Sequence, residues 1–168
     1  MSTETHEMEM GTKPVAEHEW LQNLVGEWKV ESVMQMGPDQ EPCHATGHES
    51  VTSLGGLWAF VQGTGEMPGG AQMRYFATLG FDVSFREYRG CWFADMSSHL
   101  WKQVGTLSAD GKTMTLDCEG PDMEEDGKTA NYRDVIHLVD KDHRTLTSSG
   151  QDKDGNWQEF MRATLTRV

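Results

Sequence analysis

Turn signals recur along this chain at a nearly even interval. They fall at Gly37-Pro38-Asp39, Gly55-Gly56, Pro68-Gly69-Gly70, Asp82-Val83-Ser84 and Asp95-Met96-Ser97. They continue at Asp110-Gly111, in the acidic run Pro121 to Gly127, and at Asp140-Lys141-Asp142 and Asp154-Gly155-Asn156. Gly supplies positive φ, Pro presets the first turn dihedral, and Asp and Asn bond to their own backbone. A turn about every 13–17 residues leaves long extended segments between them. These segments are rich in Val, Thr, Phe, Tyr and Trp, as strands are. Ten long strands joined in order by tight turns make an antiparallel meander. A sheet of that width curls, and closure removes its edges. The predicted fold is therefore all-β, a ten-stranded antiparallel up-and-down barrel. No βαβ rhythm and no long amphipathic helix competes with it.

Side-chain alternation supports the strands. In 72–82, Met73, Tyr75, Ala77, Leu79 and Phe81 share one face. In 112–120, Met114, Leu116 and Cys118 oppose Thr113, Thr115 and Asp117. The segment 53–63 is apolar on both sides: Leu57, Ala59 and Val61 against Trp58 and Phe60. Such a strand needs cover outside the barrel as well, from a short helix or a second copy of the chain. A homo-oligomer, in its simplest form a homodimer, is the expectation. Residues 15–24 are predicted to form the short N-terminal helix, with Trp20, Leu21 and Leu24 on one side. Residues 1–14 read as a loosely attached polar arm, and 15–168 as a single domain.

The 168 residues carry 27 Asp and Glu against 14 Lys and Arg, a net charge of −13. That balance argues against nucleic acid and against an anionic membrane, because both reward a basic face. No stretch approaches the ~20 apolar residues of a membrane span. Cys43, Cys91 and Cys118 are odd in number and none lies in a Cys-x-x-Cys pair, which fits a reducing cytoplasm.

Gly26-Glu27-Trp28 follows the short helix and opens the first strand. This resembles the Gly-x-Trp start of the calycins, the lipocalins, fatty-acid-binding proteins and their relatives. The resemblance implies that Trp28 closes the barrel floor and that an Arg near the last strand, Arg162 or Arg167, packs over its ring. A longer pattern runs Leu24 to Trp28, Leu54-Gly55-Gly56, Leu79 to Asp82, Trp92 to Asp95, Gly105-Thr106-Leu107 and Asp110-Gly111-Lys112. It is similar to a bacterial family of calycin-like proteins of unknown function, over residues 17–168. The resemblance implies the fold and carries no activity. More distant calycins include small-molecule carriers and haem-binding nitrobindins, whose proximal ligand motif has no match here.

Few motifs carry chemistry. His44 and His48 would suit a metal on a helix, but on a strand they stand ~13 Å apart. Asp152 to Asn156 lacks the carboxylates of a calcium loop at its first and last positions, and reads as a hairpin turn. The acidic run Asp122 to Asp126 reads as a solvated loop. Neither a metal nor a cofactor is predicted. Arg133 and His137 share one strand face and, if lumenal, would grip a ligand carboxylate. Tyr75, Tyr88, Trp92, Trp101 and Tyr132 are barrel packing or, in a roomy lumen, pocket wall. The first expectation is a carrier or sensor of a small, partly apolar molecule held at Tyr75, Tyr88, Trp92, Arg133 and His137. Two others stand beside it: an enzyme using lumenal His and Arg, and an assembly protein using the outer face. Gly26, Trp28 and Arg162 are the expected structural residues.

Overall fold

Ten antiparallel strands close into one barrel in the computed structural model, which describes residues 11–35, 37–67 and 69–168. The strands are β1 (Gly26–Met34), β2 (Cys43–Leu54), β3 (Trp58–Glu66), β4 (Gln72–Asp82) and β5 (Glu87–Ala94). They continue with β6 (Trp101–Leu107), β7 (Thr113–Pro121), β8 (Thr129–Leu138), β9 (His143–Gln151) and β10 (Trp157–Arg167). Each pairs with its sequence neighbours, and β1 pairs with β10 to seal the sheet. The turns predicted from Gly, Pro and Asp lie at the junctions. Pro68 and residues 1–10 of the polar arm lie outside the described residues.

The predicted helix forms as a single α-turn, α1 (Ala16–Glu19), running into a 3-10 turn over Trp20–Asn23. Trp20, Leu21 and Leu24 are buried, whereas Val15 is exposed. The helix seals one end of the barrel, and three aromatic side chains fix it there. Trp20 Nε1 donates to the Gly111 carbonyl at 2.8 Å, and Trp28 Nε1 to the Leu24 carbonyl at 2.8 Å. The Tyr88 hydroxyl donates to the Glu17 carbonyl at 2.7 Å. Buried His18 completes the seal. Its Nδ1 accepts from the Val15 amide at 2.9 Å, which leaves the ring proton on Nε2 for the Phe81 carbonyl at 3.1 Å.

The main core sits at this closed end. Leu21, Leu24, Trp28, Met114 and Leu165 are each no more than 2% exposed. The guanidinium over Trp28 belongs to Arg167, 4.2 Å from the ring centroid, with a second from Arg144 at 4.6 Å. The sequence expectation of Arg162 in this role is corrected. Arg162 stands one residue out of phase, on the outer wall, where it pairs with Glu159 at 2.8 Å. Arg167 also donates to the Val25 carbonyl at 2.6 Å, tying the last strand to the helix end. Gly26 makes room for it: φ is +134° there, and a Cβ would lie 2.3 Å from the Arg167 guanidinium.

Candidate functional site: the barrel lumen

Strand register decides which side chains enter the lumen, because the side-chain period is two. The partners Trp28, Glu49 and Gly63 share one inward row, and Gly63 pairs in turn with Tyr75. Tyr75 pairs with Ala94, and Trp92 with Trp101, on the same face. On the far wall the inward row runs Leu116, Asp134, Ser148. Tyr75 and Trp92 are half-buried, and their rings stack with centroids 5.8 Å apart. Trp101 meets Tyr132 edge-to-face at 4.9 Å. Together these rings line the half of the lumen away from the helix. Glycines seat them. A Cβ on Gly63 would lie 2.0 Å from the Tyr75 ring, and one on Gly120 2.2 Å from Trp101. The rings therefore lie flat along the wall.

Two polar groups of atoms stand among these aromatics. In the first, Arg144 Nη2 meets Glu49 Oε2 at 2.6 Å, with both side chains under a tenth exposed. The Tyr75 hydroxyl donates to Glu49 Oε1 at 2.8 Å. Burial, then the Glu49 charge, raises the Tyr75 pKa and keeps the phenol protonated. Arg144 Nε has no hydrogen-bond partner among the described residues.

The second group centres on Asp134. Gln103 Nε2 donates to its Oδ2 at 2.8 Å, and the Ser148 hydroxyl to its Oδ1 at 2.5 Å. Burial raises the Asp134 pKa, and the two hydrogen bonds offset this only in part. Cys118 on β7 is pushed up to about 12, by burial and then by the Asp134 charge. Neither Arg nor Lys nor His pairs with Asp134 among the described residues.

This geometry yields a pH prediction. Asp134 has a higher pKa folded than unfolded, so the folded state holds the extra proton. Stability should fall as pH rises from the unfolded carboxylate range through the folded value. Its titratable neighbours, Cys118 on β7 and Tyr132 on β8, both have raised pKa values and stay protonated across that window. Asp134→Asn should flatten the slope and stabilise the free protein at neutral pH, because no buried charge then has to form. Urea denaturation at pH 4 and pH 8 measures both; an unchanged slope would contradict the assignment.

The residues expected to bind ligand divide. Tyr75 and Trp92 line the lumen. Tyr88 also points inward but lies at the floor, 4% exposed, against Phe81 at 5.0 Å, holding the helix. Arg133 and His137 stand on the outer wall, contrary to the lumenal placement. Arg133 grips Asp117 at 2.6 Å and lies 4.3 Å over the Trp157 ring. His137 is exposed beside Thr113 at 2.9 Å. The reason is the phase of β8: Tyr132, Ile136 and Leu138 bring their apolar surface inward, and Asp134 comes with them. His44 and His48 also face outward on β2, and His48 meets Glu27 at 3.0 Å. Asp152 caps its own hairpin turn, accepting from the Asn156 amide at 2.8 Å. No three His, Cys, Asp or Glu side chains among the described residues converge as a metal site.

One family model matches residues 13–167. The chain belongs to the family described as protein of unknown function DUF1579. No curated protein matches its sequence. Two solved structures share the shape of this DUF1579 barrel. Rv2717c from M. tuberculosis superposes with a TM-score of 0.64 at 14% identity, over 92% of this chain and 98% of its own. The S-type phycobiliprotein lyase CPES from Guillardia theta gives 0.62 at 12% identity, over 92% and 93%. At such identities the similarity establishes the fold, a calycin-like barrel.

Proposed function

We propose that this DUF1579 chain binds a small, partly apolar molecule in the half of its lumen away from the helix. The observation that carries the reading is Asp134, held by Gln103 and Ser148 beneath the rings of Trp101 and Tyr132. Aromatic walls with a few fixed polar groups are the usual make-up of a small-molecule pocket. A barrel that only needed filling would be more stable with an apolar residue in place of an unpaired carboxylate. Carriage or sensing is favoured over catalysis, because His137, the acid–base group of an enzyme using this lumen, and Arg133, its anion clamp, stand outside. Three cysteines without a disulfide among them support a reducing, cytoplasmic setting. No helix among the described residues is long and apolar enough to cross a membrane.

Native mass spectrometry of protein purified from its own host tests this reading. An adduct of small-molecule mass, released on unfolding, is expected. Ala77→Phe adds bulk beside Trp92 and should abolish the adduct while the barrel stays folded. An adduct that survives this change would place the ligand elsewhere.

The outer wall supports a second reading, self-association. Phe60, Phe76 and Phe93 form a stacked ladder across β3, β4 and β5, with centroids 6.1 and 5.6 Å apart. Phe93 and nearby Trp58 are about 40% exposed. Among the described residues, the helix covers the barrel end and leaves this wall bare. A two-fold partner would stack its own ladder here, since a closed barrel has no edge strand to offer. Sedimentation at tens of micromolar should give a dimer that Phe93→Glu converts to a folded monomer. A monomeric parent protein would end this reading.

A further inference from the structure

We propose that the lumenal ligand is a small organic cation, a protonated amine with an aromatic or alkyl body, whose charge is met by Asp134. The proposal rests on the lumen-binding reading above and names its ligand class. Three separate observations point to it.

The first is the charge inventory inside the barrel. Glu49 is matched by Arg144 at 2.6 Å. Among the described residues, Asp134 receives hydrogen bonds only from neutral groups, Gln103 and Ser148. An ionised carboxylate accepts at about four positions, so two donors leave room for ligand N–H groups. An anionic ligand would meet this charge with repulsion. A cation would supply the missing counter-charge.

The second is the wall above Asp134. Trp101 and Tyr132 meet edge-to-face, and the stacked pair Trp92 and Tyr75 continues the wall. Tyr132 lies two residues from Asp134 on β8, and Trp101 two from Gln103 on β6, so these rings share its side of the lumen. Faces of Trp and Tyr attract an ammonium group through the ring quadrupole, and more strongly when water is excluded.

The third is the mouth. The loops at the open end, 35–42, 67–71, 95–100, 122–128 and 152–156, carry nine Asp and Glu against Lys128 and Lys153 alone. The strand-connecting loops at the helix end, 55–57, 83–86, 108–112 and 139–142, are balanced, three acids to three bases. The negative charge is thus concentrated around the entrance, where it raises the local concentration of cations and their rate of entry.

Isothermal titration with aryl- and alkylamines tests the proposal, phenethylamine and tryptamine among them, each beside its matched alcohol and carboxylate. The amine should bind at least tenfold more tightly than either analogue, and less tightly as salt rises. Asp134→Asn should remove that preference, so that amine and alcohol bind alike; Ser148→Ala, which keeps the charge, should still favour the amine. Equal affinity for amine and alcohol, or an amine preference that survives Asp134→Asn, would overturn the cation assignment. Loss of all binding in Ala77→Phe, with no preference for amines in the parent, would overturn the ligand class while upholding the lumen. Amine binding that Ala77→Phe leaves intact would overturn both.

Discussion

Trp28→Ala should destabilise the folded chain by about 3–5 kcal/mol, the range for deleting a large buried aromatic. The indole is 1% exposed and joins three parts of the fold. Its Nε1 holds the Leu24 carbonyl, where the helix ends. Its ring carries Arg167 from β10 and Arg144 from β9. Removing it opens a cavity at the floor and strips two guanidinium groups of their aromatic surface. Trp28→Phe should cost less, since it keeps a ring face for the cations and loses the indole hydrogen bond and some volume. Chemical denaturation separates the two variants; equal losses would assign the cost to the hydrogen bond alone.

Glu49→Met should be comparably severe, at about 3–5 kcal/mol, because it leaves the buried Arg144 guanidinium without its counter-charge. Tyr75 would lose the acceptor of its hydroxyl at the same time. Glu49→Met combined with Arg144→Met should cost less than the two single losses added together, because no buried charge is then stranded. Some loss should remain, since Arg144 also covers Trp28. A double-mutant cycle by urea denaturation measures the coupling; additive losses would show that the pair contributes nothing as a pair.

The barrel was legible because its signals are local. A Gly, Pro or Asp at each junction fixes a turn whatever surrounds it, and period-two patterning in β4 and β7 names the inward set. The phase of β8 was harder. Arg133, Val135 and His137 alternate with Tyr132, Asp134 and Ile136, and each set mixes polar with apolar residues. Arg133 and His137 offer the more obvious ligand chemistry. Tyr132, Ile136 and Leu138 carry more apolar area, and area removed from water sets the phase. That same count would have found Asp134. Glu49 shares its face with Val51, and Arg144 shares its own with Leu146, so both were open to the same argument. Their meeting was not. Glu49 and Arg144 are 95 residues apart, and only the closure of β1 on β10 brings β2 and β9 to opposite sides of one Trp. The resemblance leaves Arg162 and Arg167 as candidates for the seat over Trp28, and the β1–β10 register decides for Arg167.

The seal between β1 and β10 also sets an order of events during synthesis. Trp28 is made early, yet the residues that cover it arrive at 144 and 167. Until then the first strand has β2 on one side and an open edge on the other. A growing chain can zip its hairpins one after another, but the floor cannot close before residue 167 has cleared the ribosome. Contacts of such long sequence separation are slow to form. Until residue 167 has emerged, the growing chain is an open, aromatic-rich sheet, the state in which strand edges find wrong partners.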